Sequence, residues 1–282
     1  MKILFLFDKI KSYKNRNNLF YILGRFRLIR LLSKKFRIFF NNRKITTYSG
    51  NTHLKNKDKS DFILKKLNKD GYYEGLKLNK NTLEKLQSLS IDSKFIDRDN
   101  RAFNNFKSID EYNFKNDKPC CLLTLANNKL NNLAADISRD SYLLNLVDNY
   151  LGKIKKIETK VIWSTVCTTS NEWREKNGQT VTYHYDVHDL NFVYVFFYLT
   201  ECDEMSGAHQ VIKGSHINKK IFKHLIGSVK QTKDSLKKDF DEDKFITIRG
   251  EKGYGFIEDT SSFHRALAPI NKPRLILQLR YS

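Results

Sequence analysis

The sequence is poor in the residues that divide or cross-link a chain. Only three prolines occur in 282 residues, and neither a Pro-rich linker nor an internal repeat separates one part from another. The four cysteines show no C-x-x-C spacing, which argues against a zinc knuckle or a redox dithiol. No apolar run approaches the ~18–20 residues of a membrane span. At this length the chain can form one large domain or two small ones.

The first residues are not expected to form a secretory signal. The N-terminus has five apolar residues between Lys2 and Asp8, and no small-residue cleavage site follows them. Cys167 and Cys202 lie in apolar, strand-like stretches that are typical of core thiols. Reduced thiols in a chain without a secretory signal predict a cytoplasmic protein.

Acidic residues are scarce at the start of the chain. Residues 1–50 hold thirteen Lys and Arg against one acid, Asp8, and so carry +12 of the net +20. Such a charge favours phosphate-bearing substrates, anionic lipid surfaces or nucleic acid as partners. No nucleic-acid-binding motif accompanies it, so nucleic acid is the weakest of the three. We interpret residues 1–60 as a basic, partly helical N-terminal extension.

Residues 17–40 mix apolar and basic side chains at roughly helical spacing. One interpretation is a helix lying on an anionic surface, which makes 17–40 a candidate for peripheral membrane contact. The other is a helix that packs its apolar side on the body and leaves its basic face in solvent. We favour the second, because amphipathic helices usually face a core. The apolar residues that can share a face are Ile22, Phe26, Ile29, Phe36 and Phe40.

From Asp61 onward the pattern becomes globular. Helices are predicted at 62–68, after Asn79 as N-cap, and at 138–151 before Gly152. Residues 93–116 lack a clear period and are expected to form a long loop over the site. After Gly152 the period changes to two. Strands are predicted at 157–167, 180–185, 192–199, 210–212, 245–249, 254–257 and 274–281. Helices followed by many short strands predict an α+β, mainly β fold: a sandwich or jelly roll braced by N-terminal helices.

The stretch from Tyr183 to Asp189 carries the chemistry. His184 and Asp186 are two residues apart, so on a strand they point to the same face. His264 is a third candidate ligand, 80 residues further on. Two histidines and one carboxylate form the facial set that holds a non-haem Fe(II) and leaves positions open. Arg274 follows at the start of the last strand, and its guanidinium suits a dicarboxylate.

Together with the turn Gly214-Ser215-His216, this combination resembles the phytanoyl-CoA dioxygenase family of Fe(II)/2-oxoglutarate oxygenases. The resemblance is clearest from Gly178 to the C-terminus and fainter over residues 67–89. It implies a double-stranded β-helix (cupin-like jelly roll) with its core at about 155–282, within a dioxygenase domain of 61–282. It also implies Fe(II) held by His184, Asp186 and His264, with 2-oxoglutarate and O2 as cosubstrates.

The resemblance assigns further roles near the site. Arg274 is expected to pair with the far carboxylate of 2-oxoglutarate, and Gln179 to contact the cosubstrate or support the metal shell. His216 is expected to stabilise its turn rather than bind metal. His188 could also chelate with Asp186, but we place it in the loop after the strand. Asp189 is expected to be either a supporting hydrogen-bond acceptor or a substrate contact.

The remaining histidines, His53, His209 and His224, have no supporting pattern and are expected at the surface.

The implied activity is hydroxylation of an unactivated carbon, with release of succinate and CO2. Asp186 favours this over halogenation, in which relatives replace the carboxylate ligand. The expected substrate is a small molecule, lipid or conjugated metabolite, and the basic charge suits an anionic or lipid-linked one. Three alternatives stay open: a cupin-type metal protein that is not an oxygenase, a non-catalytic module whose basic arm binds a membrane or another anionic partner, and a metal-dependent hydrolase.

Overall fold

The elements alternate between helices in the first half of the chain and strands in the second. The computed structural model describes residues 22–40, 52–55, 57–91, 93–126, 128–220, 223–224 and 229–282. The helices are α1 (Arg27–Phe40), α2 (Ser60–Asp70), α3 (Lys80–Ile91), α4 (Phe106–Lys115), α5 (Asn128–Ser138), α6 (Ser141–Leu151), α7 (Asn171–Lys176) and α8 (Lys233–Lys237). The strands are β1 (Tyr72–Lys77), β2 (Phe95–Asp97), β3 (Ala102–Phe103), β4 (Leu122–Leu125), β5 (Ile157–Ser164), β6 (Val193–Tyr198), β7 (His209–Ile212), β8 (Phe245–Ile248), β9 (Tyr254–Glu258), β10 (His264–Ala266) and β11 (Arg274–Tyr281). No helix in these ranges is long and apolar enough to cross a membrane.

The strands form two antiparallel sheets. The major sheet has the order β1-β9-β6-β11-β5-β4-β2-β3, and the minor sheet has the order β10-β7-β8. The central strand expected at 192–199 is confirmed as β6, which is buried throughout and lies between β9 and β11. The chain is thus mainly β with helices, as the sequence predicted.

Two layers of apolar side chains flank the major sheet. Val195 and Leu277 pack with Leu67, Leu86 and Leu146 of the helices. On the opposite face, residues of β6, β9 and β11 pack against Val211 and Ile248 of the minor sheet. The alternation of β6 explains both layers, because successive side chains of a strand point to opposite faces. The candidate metal ligands lie beside the inter-sheet layer.

Helix ends follow the local signals that the sequence offered. Asn79 accepts a hydrogen bond from the backbone N–H of Thr82 at 2.8 Å, as expected for an N-cap. Helix α6 begins after Asp140, whose carboxylate accepts bonds from the first-turn N–H groups, and ends at the left-handed Gly152.

The loop predicted over residues 93–116 is wrong. This stretch forms β2, β3 and α4 at one edge of the major sheet, and Phe95, Phe103 and Ile109 are buried there. Its strands are only two and three residues long, too short to show a period of two.

Gly71, at the end of α2, packs closely against the loop that precedes β10. It has a φ of +84°, and a Cβ on it would lie 2.5 Å from Ser262 Oγ and 2.6 Å from His216 Nδ1. Its carbonyl also accepts a hydrogen bond from Asp259 N at 2.8 Å. Only glycine fits at this position, because a residue with a Cβ would overlap Ser262 and His216 of the neighbouring turn and loop.

We expect Gly71→Ala to destabilise the protein by about 2–4 kcal/mol, the sum of left-handed strain and steric overlap. Gly214→Ala is the matched control, because Gly214 also has a positive φ (+74°) but its nearest contact would be at 3.5 Å. It should lose only about 1–2 kcal/mol. Urea unfolding measures both, and equal losses would contradict the close-approach argument.

Candidate metal centre

Two short extended segments bring the three predicted ligands together. His184 N–H donates to the carbonyl of His264 at 3.0 Å, and His264 N–H donates to the carbonyl of His184 at 2.8 Å. Asp186 N–H donates to the carbonyl of Thr260 at 2.8 Å. The regular strand predicted at 180–185 is reduced to isolated bridges at Tyr183 and His184. His184 and Asp186 nevertheless share one side of this segment.

The side chains converge on one point. His184, Asp186 and His264 each offer a ligand atom, and these atoms all lie within 4.8 Å of one another. The Nε2 atoms of His184 and His264 lie 3.8 Å and 3.7 Å from the carboxylate of Asp186. The imidazole centroids are 4.3 Å apart.

Backbone carbonyls orient both imidazoles for metal binding. His184 Nδ1 lies 3.2 Å from the carbonyl of Thr182, and His264 Nδ1 lies 3.0 Å from that of Ser262. A carbonyl only accepts, so each Nδ1 carries the proton and each Nε2 presents a lone pair. The donor set of two nitrogens and one oxygen fits a divalent transition metal such as Fe(II).

The pKa shifts of the three residues also favour metal binding. Burial lowers the pKa of His184, and burial and the neighbouring His184 lower the pKa of His264 to about 4. Burial alone would raise the pKa of Asp186, but His188, His264 and His184 together hold it well below its usual range. At neutral pH the ligands are therefore two neutral imidazoles and one carboxylate.

His188 lies beside the centre rather than in it. Its Nε2 is 3.6 Å from Asp186 Oδ2, while its ring packs at 5.6 Å from Phe192 and 5.9 Å from Tyr194. Tyr194 in turn stacks on Phe196 at 5.6 Å. These rings form an aromatic wall on the Asp186 side of the candidate centre.

Arg274 is buried at the start of β11, opposite Ser164 of β5. Its guanidinium donates to the carbonyl of Gly207 at 2.5 Å and to Ser164 Oγ at 3.3 Å, and its Nε has no partner among the described residues. A buried N–H without an acceptor is costly, and a ligand carboxylate would satisfy it.

His209, expected at the surface, is instead buried between Arg274 and the ligands. Burial and the charge of Arg274 lower its pKa to about 3, and its ring stacks on His264 at 5.4 Å. Its Nε2 lies 2.6 Å from Glu258 Oε2, and burial raises the pKa of Glu258 to about 8. Both shifts favour the neutral form of each partner. No spacing pattern in the sequence indicated that His209 and Glu258 lie beside the candidate centre.

Gln179 is buried, as a site residue requires, but its Oε1 accepts from Arg174 at 2.8 Å. Its Nε2 has no partner among the described residues. Arg174 also donates to the carbonyl of Cys167 at 2.5 Å. The structure thus attaches Gln179 to a buried arginine, and a cosubstrate contact for it stays a prediction.

Helix α1 holds the loops next to the ligands. Arg30 pairs with Asp259 at 2.6 Å, donates to Ser261 Oγ and donates to the carbonyl of Leu190 at 3.3 Å. Tyr150 donates to the same Asp259 oxygen at 2.8 Å. One arginine therefore joins the loop after Asp186 to the loop before His264.

The expected orientation of α1 is only partly right: Ile22, Phe26 and Ile29 of the predicted apolar face are half-buried, but Phe36 is exposed. Its basic side faces the body through Arg30 and through Arg37, which lies 3.4 Å from the carboxylate of Asp189. Leu28, Leu31 and Leu32 are 69%, 41% and 57% exposed. These three leucines, which were not part of the predicted face, lie outward, because the carboxylate of Asp259 is buried and requires a cation from the opposite side of α1.

The other histidines lie apart from the centre. His53 Nδ1 contacts Thr82 Oγ1 at 3.0 Å, and the ring of His224 stacks on Phe26 at 5.8 Å. His216 is buried beside Gly71, and its Nε2 contacts the carbonyl of Asn68 at 3.2 Å, in keeping with the turn role expected for it.

Solved structures share this fold. No protein-family model and no curated protein matches the sequence. The non-heme alpha-ketoglutarate-dependent epimerase SnoN from nogalamycin biosynthesis matches with a TM-score of 0.53 and 13% identity over 79% of this chain and 82% of its own. The carbocyclase SnoK, of the same cofactor dependence and biosynthesis, matches with a TM-score of 0.50 and 10% identity over 82% and 87%. At these identities the likeness establishes the fold.

Arg30→Gln should destabilise the protein by about 3 kcal/mol at neutral pH, because Asp259 loses its buried partner. Burial would raise the pKa of Asp259, but Arg30, with His216, Ser261 and Tyr150, holds it well below its usual range. Its contribution is therefore present above the unfolded pKa of about 4 and is lost as the pH falls through the folded pKa. Urea unfolding at several pH values should show that the difference in free energy of unfolding between variant and wild type becomes smaller at acid pH.

Arg37→Gln is the matched control on the same helix. Its partner Asp189 is 30% exposed, so this variant should lose about 1 kcal/mol or less. An Arg30→Gln loss no larger than this would contradict the role assigned to Arg30.

Proposed function

We propose that this protein is a non-haem Fe(II)- and 2-oxoglutarate-dependent oxygenase of the double-stranded β-helix (jelly-roll) fold. One observation carries the proposal: His184, Asp186 and His264 converge in a fold that also buries Arg274, whose Nε has no partner in the part of the chain that the structure describes. In this proposal residues 61–282 form the oxygenase domain, and a resemblance to the phytanoyl-CoA dioxygenase family stays part of the hypothesis.

The residues fit both cofactors. His184 and His264 present neutral Nε2 atoms to the metal, and Asp186 supplies the anionic oxygen. Arg274 would bind the far carboxylate of 2-oxoglutarate through its Nε–H, while Gly207 and Ser164 hold its other nitrogens. Burial raises the pKa of the neighbouring Glu258, which favours its neutral form and weakens a repulsion against the dicarboxylate.

The bound metal and cosubstrate would supply the oxidising power, with O2 consumed and succinate and CO2 released. The chain's own residues would orient the ligands and enclose the metal centre. The Thr182 and Ser262 carbonyls fix the imidazole planes, and the rings of His188, Phe192, Tyr194 and Phe196 line the Asp186 side of the centre. Because Asp186 occupies the carboxylate position, we propose hydroxylation of an unactivated carbon as the outcome.

The proposed substrate is a small molecule, with an anionic or lipid-linked one favoured. The net charge of +20 would attract it at long range.

The first experiment adds Fe(II) and then 2-oxoglutarate to the protein without oxygen. A visible charge-transfer band of a chelated keto acid is expected. In His264→Ala the band should disappear, because losing even a hydrogen-bond partner of a ligand weakens metal binding about 10–100-fold and this variant loses a ligand itself. In Arg274→Ala the band should need on the order of a hundredfold more 2-oxoglutarate, because a buried charge pair is lost.

Two controls sharpen this result. His188→Ala removes an imidazole 3.6 Å from Asp186 that we place outside the ligand set, so the band should persist. Arg265→Ala removes the arginine that follows His264 in the sequence. Arg265 donates to Gln210 at 2.8 Å, so this variant should leave 2-oxoglutarate affinity unchanged. Bound iron without a band in the wild-type protein would overturn the proposal in favour of a cupin-type metal protein.

A hydrolase makes a different prediction. The proposed oxygenase should release succinate only with Fe(II), 2-oxoglutarate and O2 together, and zinc should inhibit it by competing for the same ligands. Substrate turnover supported by zinc without O2 would contradict the proposal and establish hydrolysis.

A further inference from the structure

Helix α1 presents an apolar strip to the outside. Its exposed side comprises Arg27, Leu28, Leu31, Leu32, Lys35, Phe36 and Phe39. The three leucines alone form a continuous patch along about one turn, because residues three and four apart are neighbours on a helix surface. A contiguous exposed apolar patch that also carries cations is typical of a surface that contacts a membrane or another protein.

The opposite side of α1 explains why the strip stays outside. Arg30 is held by Asp259, Ser261 and Leu190, Arg37 by Asp189, and Lys34 lies 4.6 Å from the ring of Tyr150. Rotating the helix to bury the leucines would expel Arg30 and leave Asp259 buried without its cation. The outward position of the strip is therefore a consequence of the ion pair beneath it.

The charge around the strip has one sign. No Asp or Glu occurs between Asp8 and Asp58, so every ionised side chain of α1 and its flanking sequence is basic or histidine. Arg27 and Lys35 lie within the exposed side itself. Arg27, Arg30, Leu31 and Lys34 also line a cavity of about 120 Å³ between α1 and the body, in which Asp259 already pairs with Arg30.

From these observations we infer that α1 docks the protein on an anionic lipid bilayer. The leucines enter the boundary between headgroups and acyl chains, and Arg27 and Lys35 reach the lipid phosphates. A bilayer fits this strip because it buries leucines without a complementary groove and is attracted by unbalanced positive charge. This contact is independent of the chemistry proposed for the metal centre.

The experiment is flotation of the full-length protein with vesicles of phosphatidylcholine alone or with 30% phosphatidylglycerol. Binding is expected to the anionic vesicles and to weaken with added salt. Leu28→Ser/Leu32→Ser should lower the partition coefficient by at least about tenfold, because two leucines no longer enter the bilayer. Arg27→Gln and Lys35→Gln should each lower it roughly fivefold.

The matched control is Ile91→Ser/Ile270→Ser, which removes two exposed apolar side chains outside α1, 59% and 61% exposed. It should bind vesicles as the wild type does. Absence of binding to anionic vesicles, or equal loss in the control, would overturn the inference.

Two other occupants of the strip give distinct results. If part of this chain covers it, Leu28→Ser/Leu32→Ser will lower the urea midpoint and the wild type will not float with vesicles. If a second copy covers it, light scattering will show a dimer that this variant dissociates. Either result overturns the membrane inference.

Discussion

The pairing of two short extended segments, residues 183–186 and 260–264, is the interaction on which the candidate site depends. Three backbone hydrogen bonds place His184, Asp186 and His264 together although 80 residues separate the histidines. Neither segment is a long strand with a register of its own. The minor sheet holds one side through the pairing of β10 with β7, and Arg30 and Gly71 hold the loop that precedes it.

The orientation of α1 shows how electrostatics can override an amphipathic pattern. Burying a leucine side chain contributes about 1.5–3 kcal/mol, whereas a buried carboxylate without a cation costs several. Asp259 is fully enclosed by Tyr150, Ser261 and Arg30. Each of its contacts stabilises the ionised form, so the helix that supplies the cation is held with its basic side inward.

Sequence reasoning succeeded where the signal was local. The period of two predicted β5, and a continuous β-branched and aromatic run predicted β6. Gly152 and Asn79 marked helix ends, and the spacing of His184 and Asp186 placed both on one face. It failed where the signal was distant. The ion pair that turns α1 joins residues 229 positions apart, and no local pattern in α1 records it. Glu258 ends β9 with a charge that is typical of an exposed strand end, yet the minor sheet covers it.

The attachment of α1 also bears on how the chain can be divided. The sequence suggests a basic arm that could be removed from an enzyme body at about residue 60. In the structure, Arg30 is one of the contacts that fix Asp259 and Ser261, which lie five and three residues before His264. A chain shortened to residues 61–282 would therefore lose part of the framework of the loop that precedes His264. Loss of activity after such a deletion would report on the loop as much as on the arm, so the two roles are separable only by substitutions on opposite sides of this one helix.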